Sequence, residues 1–322
     1  MRVRDAVLTA LLQQRGQYLS GEELAVSLSV TRNAVWKAIG QLRSEGYPIE
    51  AVPNRGYRLT GGDVLSREGI QRYLKTPEVD VHVYSSTAST NTLLKAWAED
   101  GCAEGTTAVA EEQTAGRGRR GRGFFSPRGT GLYMSILLRP QAKAEAALAI
   151  TTAAAVAAAE AIESLSGEAA QIKWVNDIFM RGKKVCGILT EASLDVESGG
   201  LRYAIVGIGI NVLRPSGGFP DEIQEVAGAV FDDCVLPDLR CRLAAELLDR
   251  FFVHYHALGS EACFEAYRKR CFVLGRRITV LSGGIAVDEG QVLDLERDYS
   301  LRIRCDDGTE KLLNSGEVSV LP

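Results

Sequence analysis

The chain is poor in metal-ligating and nucleophilic arrangements. It has three histidines, and none of its seven cysteines stands in a CxxC pair. A zinc site is therefore not expected. Seven scattered cysteines (Cys102, Cys186, Cys234, Cys241, Cys263, Cys271, Cys305) cannot all pair within one chain, and they read as reduced thiols of a cytoplasmic protein. The first residues are charged and lead into an amphipathic pattern, so no secretory signal is expected. No run approaches 18 apolar residues without a charge, so no membrane span and no membrane partner are expected. The net charge of −4 gives no chain-wide attraction to nucleic acid.

That charge is unevenly spread. Residues 1–62 hold eight Lys/Arg against five Asp/Glu, whereas the remainder holds 29 against 36. A small basic module on an acidic body points to a nucleic-acid-binding head. At 322 residues the chain has room for two or three domains.

The pattern reads as three blocks of an α+β protein. In residues 1–62, a helix over 3–13 puts Val3, Ala6, Val7, Ala10 and Leu11 on one face. Ser20 and Glu23 form a capping box for a second helix. Thr31 caps a third, which ends at Gly46 and buries Val35, Ala38, Ile39 and Leu42. Two β-prone runs follow around Asn54-Arg55-Gly56. This is the pattern of a winged helix-turn-helix. Thr31, Arg32, Asn33 and Lys37 would face a DNA groove, with Arg55 at the wing tip. A small helical domain that binds protein is the alternative.

Block two, 64–268, alternates strands with an alanine-rich helix over 143–165 that is apolar nearly all round and therefore buried. Its strands are EVDVHVYSS, TTAVAEEQ, GLYMSILLRP (with good alternation), QIKWVNDIFM, KVCGILTEASL and RYAIVGIGINVL. Their order predicts an α+β domain with a mixed, largely antiparallel sheet. Block three, 269–322, has the strand runs RRITVLS, IAVDEGQVLDLE, SLRIRCD and EKLLNSGEVSVL. These predict a small SH3-like β-barrel.

One loop stands out. TAGRGRRGRGFF, residues 114–125, crowds Arg117, Arg119, Arg120 and Arg122 among glycines. Gly116, Gly118 and Gly121 match G-x-G-x-x-G, but no helix opens there, so a dinucleotide site is excluded. Arg122-Gly123 stands where a P-loop needs Lys-Ser/Thr. A disordered RNA-binding tail fits poorly between two strands. What remains is an anion cradle, with backbone amides near the ligand and guanidinium groups supplying charge. Four clustered cations repel one another, so the loop is expected to be mobile until an anion orders it.

GRGRRGR, with STN (89–91), Gln113, KWVND (173–177), KVCGIL (184–189) and GIGINV (207–212) in that order, resembles biotin protein ligases of the bifunctional type that also act as biotin-operon repressors. The winged helix in front and the small barrel behind complete that family's layout, so the resemblance covers nearly the whole chain. It departs at Val175, where the family usually has proline, and at Phe124-Phe125, where it often has tryptophan.

The resemblance implies that Ser89, Thr90, Asn91, Gln113, Arg117, Gly118 and Arg119 bind biotin. Lys184 would contact its carboxylate and then the acyl phosphate. Arg120, Arg122, Lys173, Asn176 and Asn211 would lie by the nucleotide, and Phe219 is put forward for stacking on adenine. Arg119, Lys184 and Asp177 would carry the chemistry, and no protein-held metal is implied. ATP and biotin are the implied substrates, with Mg²⁺. The implied partners are the biotin carboxyl carrier domain of acetyl-CoA carboxylase, operator DNA, and a second copy in a ligand-promoted homodimer.

The residues alone leave alternatives open. Asp177 orients or deprotonates the acceptor amine, or only stabilises a turn. Lys184 is otherwise a solvated hairpin lysine. The glycines of GIGIN serve close packing, close approach of a ligand, or both. A ligand-sensing repressor without ligase activity and a lipoate-type ligase are the competing functions.

Overall fold

The computed structural model describes residues 2–143, 146–195, 199–233, 236–282, 285–314 and 317–320. The chain divides into two compact units, Met1–Leu74 with Cys234–Ala245, and Lys75–Asp233 with Glu246–Pro322.

Within the first unit are α1 (Val3–Gln13), α2 (Gly21–Ser27), α3 (Arg32–Ser44), the strands β1 (Ile49–Val52) and β2 (Gly56–Leu59), and α4 (Arg67–Gln71). The helices form because their apolar residues recur at helical spacing. Val7, Leu8 and Leu11 of α1 meet Val35, Ile39 and Leu42 of α3 in one core with Leu24, Ile49 and Leu59. Each fully buried aliphatic side chain contributes about 1.5–3 kcal/mol.

The predicted caps are present. The Glu23 amide donates to Ser20 Oγ (3.0 Å) and the Ser20 amide to Glu23 Oε2 (2.8 Å). Thr31 Oγ1 accepts from the Ala34 amide at 3.2 Å. Each cap stabilises its helix by about 1 kcal/mol. β1 and β2 pair antiparallel from Ile49↔Leu59 to Val52↔Gly56. The turn between them needs left-handed backbone at Asn54 (φ 63°) and Gly56 (φ 101°). Two ion pairs tie the two segments of this unit together. Arg240 Nε meets Asp63 Oδ2 at 2.7 Å with both side chains buried, and Arg15 Nη1 meets Asp238 Oδ2 at 2.5 Å.

Unit two contains β3 (Asp80–Tyr84), α5 (Thr90–Glu99), β4 (Thr106–Ala110), a 3₁₀ turn at Arg119–Gly121 and β5 (Gly131–Leu138). Then come α6 (Ala146–Ser166), β6 (Gln171–Lys173), β7 (Asp177–Met180), β8 (Lys183–Leu194) and β9 (Leu201–Asn211). α7 (Leu239–His256) belongs here from Glu246 onward, followed by α8 (Glu261–Arg270). The last strands are β10 (Arg277–Ser282), β11 (Ile285–Leu295), β12 (Leu301–Cys305), β13 (Glu310–Leu313) and β14 (Glu317–Val320).

A seven-stranded sheet runs in the order β3-β4-β5-β9-β8-β7-β6. Only β3–β4 is parallel, as a mixed, largely antiparallel sheet requires. The C-terminal strands form a five-stranded antiparallel sheet, β13-β12-β11-β10-β14. Among the described residues, α6 alone is long and apolar enough by length and composition to cross a membrane, although Glu160 and Glu163 interrupt it. It packs against β8, β9 and α8, and from Ile150 to Ala159 every residue is buried.

Three strand readings change. QIKWVNDIFM is two strands, β6 and β7, because a turn at residues 174–176 folds it back on itself. EKLLNSGEVSVL likewise splits into β13 and β14. β5 was expected to alternate, but all eight of its residues are buried, because it is central and covered on both faces. Three helices, α4, α7 and α8, went unread.

Candidate active site

A cavity of about 340 Å³ opens in the second unit. Its walls come from the turn entering α5, the arginine loop between β4 and β5, the facing parts of β7, β8 and β9, and residues 219–227. Met134, Ile188, Leu189 and Ile208 make part of the wall apolar.

At the α5 end, polar groups form a connected cluster. Ser89, Thr90 and Asn91 are buried, whereas Ser86 of the neighbouring Ser-Thr pair is exposed. Gln113 Oε1 accepts from the Thr90 amide (2.9 Å) and hydroxyl (3.1 Å), and its Nε2 donates to Ser126 Oγ (3.1 Å). The Ser135 hydroxyl lies 2.6 Å from Asn91 Oδ1 and 2.7 Å from Thr90 Oγ1. Asn91 Nδ2 donates to Glu191 Oε2 at 2.8 Å, and the same oxygen takes Arg117 Nη2 at 3.1 Å. Glu191 therefore links the α5 turn to the arginine loop.

That loop closes as a hairpin. The Gly118 amide donates to Arg122 O (2.7 Å) and the Phe124 amide to Gly116 O (2.9 Å). Its guanidinium groups diverge to separate partners, which answers the repulsion anticipated from sequence. Arg117 pairs with Glu191, Arg119 Nη1 donates to Asn176 Oδ1 (2.8 Å), and Arg120 Nη1 donates to Leu281 O (3.2 Å). Arg120 holds left-handed backbone at φ 56°. Arg117, Arg119, Arg120 and Arg122 all line the cavity.

Opposite the loop, Lys184 Nζ lies 2.7 Å from Asp177 Oδ1. Asn176 Nδ2 reaches the same oxygen at 3.2 Å and donates to Ile188 O at 2.8 Å. A register shift between Ile178 and Phe179 lets β7 present Asp177 opposite Gly187 while Lys184 faces Phe179. The Lys184 backbone is fixed by two bonds, its amide to Val226 O (2.7 Å) and its carbonyl from the Gly228 amide (2.8 Å). Asn211 Nδ2 donates to Gly228 O at 3.0 Å. Burial pushes the Cys186 thiol well up, so this cavity-lining sulfur stays protonated and unreactive near neutrality.

The glycines of GIGIN have steric work. A Cβ at Gly207 would overlap the Asn91 side-chain amide, and one at Gly209 would overlap the Phe124 ring. Both strand positions thus admit a neighbouring side chain at backbone distance.

The Biotin/lipoate A/B protein ligase family model matches residues 83–211. A HTH domain model matches 3–58, and a Biotin protein ligase C terminal domain model matches 273–321. Bifunctional ligase/repressor BirA of Bacillus spizizenii is 39% identical over 266 residues, covering 82% of this chain and 77% of its own. The chain belongs to the bifunctional ligase/repressor family. Within that family, the Escherichia coli BirA is 35% identical over 207 residues, covering 64% of this chain and 62% of its own. Among solved structures, the biotin protein ligase from Aquifex aeolicus in complex with biotin and ATP superposes with TM-score 0.63 at 28% identity, covering 75% of this chain and 98% of that one.

The residues singled out for the family's chemistry are mostly gathered in this cavity. Ser89, Thr90, Gln113, Gly118, Asn176, Asp177, Lys184, Asn211 and the four arginines line it. Asn91 stands behind the wall, bonded to Leu189 O, Glu191 and Ser135. Lys173 does not line the cavity; its ammonium lies 5.9 Å from the centre of the Phe179 ring. Phe219 does line it, with its ring 6.5 Å from that of Phe125.

Sequence reasoning missed Glu191 and the packing role of Phe124. Glu191 was findable as a carboxylate on the same strand as Lys184, although an exposed-looking TEAS stretch gave it no emphasis. In the first unit, Arg32, Asn33 and Lys37 are exposed on α3, and Thr31 is the cap. Arg55 carries its guanidinium 4.5 Å from the centre of the Tyr18 ring.

Proposed function

We propose that this family member activates biotin with ATP to biotinyl-5′-AMP and transfers the biotinyl group to a lysine of a biotin carboxyl carrier domain. It also represses transcription by binding operator DNA. The carrying observation is the meeting, in one cavity, of an amide-hydroxyl cluster, an apolar wall, a four-arginine loop and Lys184. Ser89, Thr90 and Gln113 offer donors and acceptors to a ureido ring. The apolar wall suits an alkyl chain. Arg117, Gly118 and Arg119 with Lys184 suit its carboxylate end, and Arg120, Arg122, Asn176 and Asn211 suit the nucleotide. Lys173, outside the cavity lining, acts by charge, and Asn91 by fixing the α5 turn.

In the first step a carboxylate oxygen of biotin attacks the α-phosphorus, the bond to the β-phosphate bridging oxygen breaks, and pyrophosphate leaves. The nucleophile is already charged, so no base is needed. The obstacle is the approach of one anion to another, and Arg119 and Lys184 lower it by fixed positive charge that needs no reorganisation. In the second step the neutral lysine amine attacks the acyl carbon, the bond from that carbon to the phosphate oxygen breaks, AMP leaves, and the proton shed by the nitrogen passes to the departing phosphate or to water. Asp177 is held by Lys184 and Asn176, which favours a role in aiming those two groups over proton abstraction. Mg²⁺ supplies charge neutralisation on the phosphates. Among the described residues no three His, Cys, Asp or Glu side chains gather.

The functional division we propose is 1–62 for DNA, 64–268 for ligation and 269–322 as the C-terminal module. Thr31, Arg32, Asn33 and Lys37 meet the groove and Arg55 meets a phosphate. The protein works in the cytoplasm, and the adenylate promotes a homodimer that reads a two-part operator. Purified protein with biotin, ATP and Mg²⁺ is expected to release pyrophosphate only when biotin is present. Added carrier domain is expected to gain one biotin on one lysine by mass. Release independent of biotin, or a carrier of unchanged mass, rejects the ligase reading. An unchanged monomer fraction in sedimentation with and without biotinyl-AMP rejects the dimer.

A further inference from the structure

Helix α3 has one face committed to the core and another that is exposed, on which Arg32 pairs with Glu22 of α2 at 3.1 Å. Val35, Ala38, Ile39 and Leu42 are buried, while Arg32, Asn33, Trp36, Lys37 and Gly40 are exposed. Two features of the exposed face are costly for the protein alone. Trp36, the largest apolar side chain on the helix, is 65% exposed, and among the described residues no hydrogen bond, ring contact or ion pair engages it. Gly40, four residues on and so one turn along the same face, sits in the helix interior, where glycine is less favourable than alanine. A Cβ added at Gly40 meets nothing within 4 Å, so packing inside the protein does not demand a glycine.

A knob beside a bare patch of backbone is the relief a helix needs to lie against another surface. The charge identifies that surface. α3 carries Arg32, Lys37 and Arg43 and no Asp or Glu, so the face is complementary to a polyanion. An indole also offers an apolar edge for a thymine methyl group in a major groove, and a helix without bulk at one turn approaches base edges more closely.

We infer that Trp36 makes direct apolar contact with base edges of duplex DNA, and that Gly40 provides the clearance for that approach. The inference rests on the DNA-binding reading of α3 and extends it to two residues without charge or hydrogen-bonding side chains. Trp36 then sets sequence preference, while Lys37 and Arg32 set affinity for any duplex.

The test uses the full-length protein with biotin and ATP, and a pool of randomised 30-base-pair duplexes from which the wild type selects its preferred sequence. Trp36→Ala is expected to bind that selected duplex at least tenfold more weakly and a scrambled duplex within twofold of wild type. The slope of log affinity against log salt should stay unchanged, since no cation is lost. Lys37→Ala should weaken both duplexes and reduce the slope by about 1. Gly40→Ala should bind the selected duplex at least fivefold more weakly while its thermal midpoint stays the same or rises. A structural role for Gly40 cannot produce that opposition. If Trp36→Ala and Gly40→Ala hold the selected duplex as tightly as wild type, the inference is overturned while the DNA reading stands. If the wild type selects no duplex, the reading beneath it falls as well.

Discussion

Removing the Lys184 ammonium is the sharpest perturbation of the proposed chemistry. Its Nζ is 2.7 Å from Asp177 Oδ1, and the two side chains are 30% and 23% exposed. A cation about 4 Å from a phosphate oxygen contributes about 4 kcal/mol at an effective dielectric near 20. Loss of one preorganised donor at a developing negative charge typically costs about 3–4 kcal/mol. Lys184→Met is therefore expected to lower kcat/KM for biotin-dependent pyrophosphate release by about 10²–10³-fold. The fold should survive, because a partly solvated ion pair contributes only about 0–1 kcal/mol to stability. Asp177→Asn separates the two roles of the carboxylate. If Asp177 aims Lys184, the variant loses about tenfold in pyrophosphate release. If it deprotonates the acceptor amine, release is spared and transfer to the carrier domain falls instead. A Lys184→Met enzyme within fivefold of wild type in pyrophosphate release would refute the electrostatic argument outright.

Three further outcomes follow from particular contacts. Glu191→Gln keeps the volume but removes the charge that holds Arg117 and Asn91; KM for biotin should rise about 3–10-fold with kcat nearly unchanged, and Glu191→Asp should restore part of it. Gly207→Ala drives a methyl into the Asn91 amide inside the sheet, so a loss of about 1–3 kcal/mol is expected in urea unfolding, and an unchanged midpoint would contradict the packing. Hydrogen bonds with Cys263 and Glu160, the latter at 3.0 Å, raise His254 to about 9, with Arg250 and Arg270 also facing Glu160. A raised folded-state value means that His254 stabilises fully below its unfolded value near 6.5 and progressively less as pH climbs through 9. His254→Gln should therefore be less stable than wild type by about 1–3 kcal/mol at pH 6, with the gap closing by pH 9.5.

How much of this was readable in advance depended on whether the signal was local. Ser20-Glu23, Thr31 and the turn at Asn54-Gly56 are short-range devices, and residues 1–62 were legible to the level of their caps, whereas α4 with its Ser66 cap was not. Ser89-Thr90 was separable from Ser86-Thr87 because Asn91 follows it, and the buried pair is the one that lines the cavity. By contrast, QIKWVNDIFM reads as one strand because both of its ends are β-prone, and Asn176-Asp177 was weighed as a local turn at Asp177 and not as a break between two strands. Only pairing with β8 decides that β7 starts at Asp177. β5 resembles an alternating strand because Ser135 and Tyr133 interrupt its apolar run; both are buried for tertiary reasons, Ser135 by Asn91 and Thr90, and Tyr133 by Pro127 O. α7 and α8 carry many charged residues whose partners, such as Glu160 and Glu163, lie on α6 about a hundred residues earlier.

The arginine loop shows most clearly where sequence reasoning stopped. Counting guanidinium groups predicts repulsion, and repulsion predicts a loop that is mobile until an anion orders it. Counting does not foretell that three of the side chains reach unlike acceptors, a carboxylate on β8, an amide between β6 and β7, and a carbonyl on β10. None of these is adjacent in sequence, and only the carboxylate carries a full charge. An anion that draws Arg117 inward must therefore compete with Glu191 for the guanidinium or share it, so the charge of that acceptor sets part of the cost of rearranging the loop.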